Sequence, residues 1–172
     1  VEWLFPLALN HKGPTYFRLG KGGEKNLLLD EQKASRKLGS PHEIIKGERI
    51  SIISCGPILS EALVVRDILN RNNINPAIVN IHSIKPFNKS EFIEKINDKD
   101  FIVTIEEHSI IGGLGDVVSD VLSGLQNSPI QIKFGIKDVF VKEVGSRDYQ
   151  LETHGLSPIK IANEILDRLK IS

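Results

Sequence analysis

At 172 residues, with 22 basic and 22 acidic side chains, the chain has no net charge and is long enough for one domain with a proper core. A hydrophobic content of 40% and a charged content of 26% are those of an ordinary soluble globular protein, and the charge balance gives no support to a role on nucleic acid or an anionic membrane. The single Cys55 rules out an internal disulfide and agrees with a reducing, cytoplasmic setting, while no apolar run approaches the roughly 20 residues that span a bilayer.

There is no signal peptide at the start and no methionine anywhere, which suggests a piece of a longer protein or one processed at its start. Residues 2–11, EWLFPLALNH, read as the end of a helix, with Leu4, Leu7 and Ala8 at helical spacing; Pro6 is tolerable in a first turn or at a kink. Gly13-Pro14 stops it, and Thr15 to Leu19 reads as a short strand. GKGGEK, residues 20–25, is a flexible turn. From Leu27 to Gly47 apolar anchors are few, which marks a linker and a domain boundary, with one turn of helix or an added strand at 27–29 or 43–45.

The pattern then becomes regular. Ile50 to Ser54 is a strand, Cys55-Gly56-Pro57 turns it, and Ile58 to Arg71 is a helix ended by Asn72-Asn73. Pro76 to Ile81 is the next strand, followed by a short helix that Asn88 or Ser90 would cap. Phe101 to Ile105 is a strand covered on both faces. Leu114, Val117, Val118, Val121, Leu122 and Leu125 form one helix stripe. Ile130 to Phe134 is a further strand, Ser146 a helix N-cap, His154-Gly155 a stop, and Ser157-Pro158 the start of a last helix. Alternation of this kind predicts an α/β fold, a three-layer α/β/α arrangement around a mostly parallel, mixed sheet of about five strands.

The chemistry concentrates between the central strand and its helix, where Glu106, Glu107 and His108 precede the glycines Gly112, Gly113 and Gly115. In open α/β sheets ligands gather outside the carboxyl ends of strands, where this turn lies. Gly113-Leu114-Gly115-Asp116-Val117-Val118 is a phosphate-cradling fingerprint with valine in place of its third glycine. Close packing of helix on strand explains the glycines better, and Asp116 would repel a phosphate. Two carboxylates and an imidazole could do acid–base work or bind a metal, but adjacent strand residues face opposite ways and no second histidine stands at helical spacing. A structural turn or a subunit contact is the stronger reading of the 106–108 cluster. Cys55 lacks a neighbouring base and reads as a small packed residue. His82 and Lys85 flank the end of the third strand, and Arg18, Lys21 and Lys25 surround a glycine loop suited to an anion. On residues alone the chain is an α/β domain with no complete active site.

The motifs taken together carry a resemblance. GPTYFRLGKG (13–22), ISIISCGP (50–57), VNIHSIKPFN (79–88), VTIEEHSIIGGLGDVV (103–118) and FGIKDVFVKEVGSRDYQLETHGLS (134–157) occur in the order seen in the transketolase family. They are most similar to the C-terminal part of deoxyxylulose-phosphate-synthase-like enzymes and of split-transketolase C-terminal subunits. The resemblance implies a thiamine-diphosphate-dependent parent enzyme with magnesium, in which residues 1–25 are the tail of the preceding pyrimidine-binding domain, 26–47 an interdomain linker and 48–172 the C-terminal domain. It implies that the activating glutamate and the diphosphate- and metal-binding motif lie elsewhere, so that this chain alone binds no cofactor or metal, carries no catalytic residue and is inactive. It implies as partners the remainder of the polypeptide or a separate N-terminal subunit, a second copy of the chain in a dimer, and a small sugar-phosphate-like substrate. By the same resemblance Lys21 stands where relatives carry an arginine near the substrate phosphate. A lysine there is a point charge without the planar fork that grips phosphate. His82 and the 106–108 cluster would lie towards the substrate, a subunit or a domain contact. Two other readings are the C-terminal domain of a 2-oxo acid dehydrogenase β component, and a stand-alone nucleotide- or anion-binding module built on the 112–116 turn.

Overall fold

The computed structural model describes residues 4–20, 22 and 37–170. Its elements are α1 (Leu4–Leu9), β1 (His42–Ile45), β2 (Ile50–Cys55), α2 (Leu59–Arg71), β3 (Ala77–Asn80), α3 (Lys89–Ile96), β4 (Phe101–Ser109), α4 (Leu114–Ser123), β5 (Ile130–Ile136), α5 (Arg147–Thr153) and α6 (Pro158–Leu169). A short 3-10 turn, Gly56–Ile58, leads from β2 into α2. The five strands lie in the order β1-β3-β2-β4-β5. β2, β3, β4 and β5 are mutually parallel, and β1 runs antiparallel on the β3 edge.

Alternation along each strand sends side chains to two separate cores. On one side Ile50, Ile52, Ile78, Val103, Ile105 and Ile132 pack under Ala62, Val65 and Leu69 of α2 and under Ile161 and Ile165 of α6, with Leu151 of α5. On the other, Ile53, Val79, Ile81 and Ile102 meet Phe92 and Ile96 of α3 and Leu114, Val118, Val121 and Leu122 of α4. Both faces of the sheet are covered, so the parallel strands are mostly apolar, with Ser51, Ser54, Asn80, Thr104 and Glu106 as the buried polar exceptions.

Helix ends follow local chemistry. The Asn88 side chain accepts from Glu91 N–H and the Ser146 hydroxyl from Tyr149 N–H, so both act as N-caps. Asn73, with φ of 59°, carries the chain out of α2 in the left-handed region, and Gly155, with φ of 75°, does so after α5. Ser157 precedes Pro158 at the start of α6 but makes no cap hydrogen bond there.

One expected element is absent. Thr15 to Leu19 forms no strand: the segment has no regular secondary structure and lies on the surface, with Tyr16 86% exposed. A strand needs a ladder partner, and among the described residues none of the five strands pairs with this segment. Of the two positions at which an added strand was open, 43–45 is used by β1, whereas 27–29 lies outside the described residues.

Candidate functional site

β2 is followed by a helix on one face and β4 by a helix on the other, so their connections part at the carboxyl ends of the two strands. Cys55 and Glu106 are register partners at this parting. It is the switch-point crevice of an open α/β sheet, where such folds place their functional groups.

Glu106 is 3% exposed and points to the α4 side. Its Oε2 accepts from Leu114 N–H at 2.7 Å and its Oε1 from Gly115 N–H at 2.8 Å. Two of the unpaired amides at the start of α4 are thereby satisfied by a carboxylate eight residues upstream, and the positive end of the helix dipole faces its charge. The glycines make room for it. A Cβ on Gly113 would stand 1.9 Å from Glu106 Oε2, and one on Gly115 3.2 Å from Oε1 and from Thr104 Oγ1. Gly112 N–H donates to Asp116 Oδ2, and Lys133 Nζ lies 2.6 Å from Asp116 Oδ1. Lys133, then the Gly112 amide, hold the Asp116 carboxyl below the usual range. The amides of Gly112, Leu114 and Gly115 are thus taken by the chain's own carboxylates. An incoming phosphate would have to displace Glu106, so the geometry does not support a nucleotide- or anion-binding module at 112–116.

Glu107 faces the opposite way, towards α2. Arg147, at the start of α5, donates Nε to Glu107 Oε2 at 2.9 Å and places Nη2 2.8 Å from the same oxygen. Its two Nη atoms grip Glu61 in the first turn of α2 as a fork, each at 2.9 Å. Ser60 Oγ adds a bond to Glu61 Oε2 at 2.8 Å. Burial pushes the Glu61 carboxyl up, but the bonds from Arg147 and Ser60 outweigh it and leave the group below its ordinary value. Arg18, from the segment before the linker, donates Nη2 to the Glu107 carbonyl at 3.1 Å.

The cluster at 106–108 therefore separates into three surroundings. Glu106 caps α4, Glu107 joins Arg147, and His108 is exposed with Nδ1 against its neighbour's carbonyl, Ser109 O, at 3.1 Å. His82 is half-buried beyond the end of β3, on the far side of β2 from Glu106. Lys21 lies outside the described residues. Glu61, Arg147 and Gly135 were not singled out from sequence. Glu61 and Arg147 are 86 residues apart, and no local spacing announces their pair. A Cβ on Gly135 would approach Ile110 Cα at 3.1 Å and His108 O at 3.2 Å, so the glycine lets the end of β4 fold over β5.

Cys55 is half-buried in the crevice, and burial, with Glu106 second, pushes its thiol up to about 11, Arg18 acting the other way. Alkylation with iodoacetamide at pH 8 is expected to run about a hundredfold slower than for a free cysteine, with a rate still climbing above pH 10. A rate at pH 8 equal to that of glutathione would contradict this placement.

The described residues do not fit thiamine diphosphate and its metal. No group of three or more metal-ligating side chains is assembled among them, and the glycine turn at a helix start is filled by Glu106.

Residues 42–161 match the model of the transketolase C-terminal domain. A Methanocaldococcus jannaschii protein named as a transketolase C-terminal section is 36% identical over 160 residues, covering 93% of this chain and 49% of that protein. The 6-deoxy-6-sulfo-D-fructose transketolase subunit SqwH of a Clostridium species is 30% identical, covering 95% of this chain and 51% of its own length. A 1-deoxy-D-xylulose-5-phosphate synthase of Caldanaerobacter subterraneus is also 30% identical, with 96% of this chain on 25% of the enzyme. Among solved structures, a split-gene transketolase described as an inactive beta4 tetramer superposes with a TM-score of 0.83 at 28% identity, covering 97% of this chain and 53% of that one. The chain thus spans about half the length of the first two of these relatives, or less in the synthase. With the α/β sheet, its covered faces and the order of its motifs all in agreement, this chain belongs to the transketolase C-terminal domain family.

Proposed function

We propose that this chain is the C-terminal part of a thiamine-diphosphate-dependent, transketolase-like transferase of the cytoplasm, which moves a two-carbon ketol unit between sugar phosphates or performs a similar carboligation. The observation that carries this reading is the family match over 42–161 in a chain that spans about half of its first-named relatives. The cofactor and its magnesium are held by another part of the enzyme, a separate N-terminal subunit or a further stretch of the same polypeptide. Held there, thiamine diphosphate would supply the carbanion chemistry of the reaction. The residues described here hold the crevice, the domain contacts and the subunit contacts.

Residues 1–25 serve as the tail of the pyrimidine-binding domain, 26–47 as a linker whose final part adds β1 to the sheet edge, and 48–172 as the C-terminal domain. Lys21 anchors the anionic end of the substrate, with His82 and the exposed His108 near the end of β4 towards substrate or neighbouring subunits, while Glu106 and Glu107 serve the structural role. A single ammonium suits phosphate or the sulfonate named for one relative, without the bidentate fit of an arginine. Self-association is supported by exposed apolar side chains, among them Phe140 at 94% and Val144 at 100%, and by the tetramer named for the structural relative. No described helix is long and apolar enough to cross a membrane.

The test is to reconstitute the chain with an N-terminal-half protein from the same genome. Thiamine-diphosphate binding by calorimetry is expected with the N-terminal half present and not with this chain alone. Ketol transfer from a phosphorylated or sulfonated ketose is expected of the pair. Lys21→Ala should raise KM for the anionic sugar about tenfold to a hundredfold with kcat little changed, the loss of one charge-assisted contact. A reconstituted pair that binds cofactor but transfers no ketol unit would overturn the transferase reading.

A further inference from the structure

Arg147 donates three side-chain hydrogen bonds in the crevice, two to Glu61 and one to Glu107. The pairing of β4 with β5 breaks after Ile105 and resumes at Ser109. Glu107 lies inside that break, so the ladder to β5 does not fix the direction of its peptide. Such interruptions re-aim backbone and side chains near functional sites. Here the Glu107 carbonyl accepts from Arg18 at 3.1 Å. Arg18 belongs to the exposed segment between Gly13 and Gly20, which has no ladder of its own.

We infer that Arg147 is a positioning residue: by clamping Glu107 against Glu61 it fixes the peptide that holds Arg18, and so sets the course of the segment leading to residue 21. The clamp spans three elements. Glu61 sits in the first turn of α2, Glu107 at the end of β4, and Arg147 enters α5 directly behind the Ser146 cap. The planar fork holds Glu61 by two parallel bonds, which leaves Nε free for Glu107 at 2.9 Å. Phe17, next to Arg18, meets the Phe5 ring of α1 at 5.8 Å between centroids, so the same segment also carries α1. For its functional sense this inference rests on the reading of Lys21 as an anion anchor; its geometry does not.

The test uses this chain alone, with no cofactor or substrate, so a failed reconstitution leaves it untouched. Backbone ¹⁵N order parameters are measured for residues 15–19, with amide shifts of β2 and of Ile102–Ile105 as the control for folding. The wild-type segment is expected to be ordered, near ~0.8, and to fall below about 0.6 in Arg18→Ala and in Arg147→Ala. Glu107→Ala is the discriminating variant, because it keeps the carbonyl that Arg18 binds and removes only the clamp. It is expected to lower residues 15–19 as far as Arg18→Ala does, and it carries the test should Arg147→Ala fail to fold. The double variant Arg18→Ala/Glu107→Ala should be no looser than Arg18→Ala. Order at 15–19 that survives Glu107→Ala but not Arg18→Ala would overturn the inference, as would a wild-type segment already below about 0.6.

Discussion

Replacing Glu106 by alanine is expected to destabilise the domain by about 3 kcal/mol in urea unfolding at pH 7. The carboxylate is the acceptor for Leu114 and Gly115 N–H, and its removal leaves both amides buried at the start of α4. Each orphaned donor costs ~1–3 kcal/mol, offset in part because a buried charge disappears with the side chain. Gly113→Ala should cost about as much by another route, since its methyl would stand 1.9 Å from Glu106 Oε2 and push the carboxylate off both amides. The two changes should not add. Once the side chain at 106 is short, the methyl at 113 occupies the vacated space, and Gly113→Ala in the Glu106→Ala background is expected to cost under about 1 kcal/mol. Additive losses in this cycle would mean that the glycine answers to backbone conformation and not to the carboxylate.

Arg147→Ala is expected to cost about 2 kcal/mol at pH 7, or roughly 4–8 °C in Tm for a domain of this size. Breaking a fully buried pair costs ~3–5 kcal/mol, and the lower figure allows for solvent screening, because 36% of the Arg147 side chain and 32% of that of Glu107 remain exposed. Glu61, with 14% of its side chain exposed, is the carboxylate left most stranded. The pH dependence has a definite sign. Glu61 is held below the ordinary carboxylate value, so its contribution is complete above about pH 4.3 and is lost as pH falls through the lowered native value. Arg147 stays protonated throughout. The gap in stability between wild type and Arg147→Ala should therefore be constant from about pH 6 to 8 and narrow progressively as pH falls below about 4.3, through the lowered native value of Glu61. A gap that does not narrow at all as pH falls below about 4.3 would assign the loss to packing of the arginine stem rather than to its pairing with Glu61.

Both effects arise in a crevice that the sequence located only in part. The chain spacing was enough to place the end of β4 and the glycine turn beside α4, because alternation along a strand and a helix stripe are local periodicities. Alternation also separated Glu106 from Glu107 onto opposite faces. The Ser146 cap was legible for the same reason, since a cap is a contact across three residues, and the structure chose Asn88 over Ser90 for α3. The resemblance of the ordered motifs to transketolases added the family and the expectation that cofactor chemistry lies outside this chain.

What the sequence by itself determined was thus most of the local periodicity: the covered strands, most helix ends, the α/β alternation and the order of motifs. Only the tertiary structure decided that Thr15–Leu19 is no strand, that β1 runs antiparallel along β3, that Glu106 closes the start of α4 against an outside anion, and that Arg147 joins Glu61 to Glu107. The physical reason is range. Backbone periodicity and capping are settled by neighbours along the chain, whereas a ladder partner or a forked ion pair spanning 40 and 86 residues exists only after the sheet has brought distant segments together.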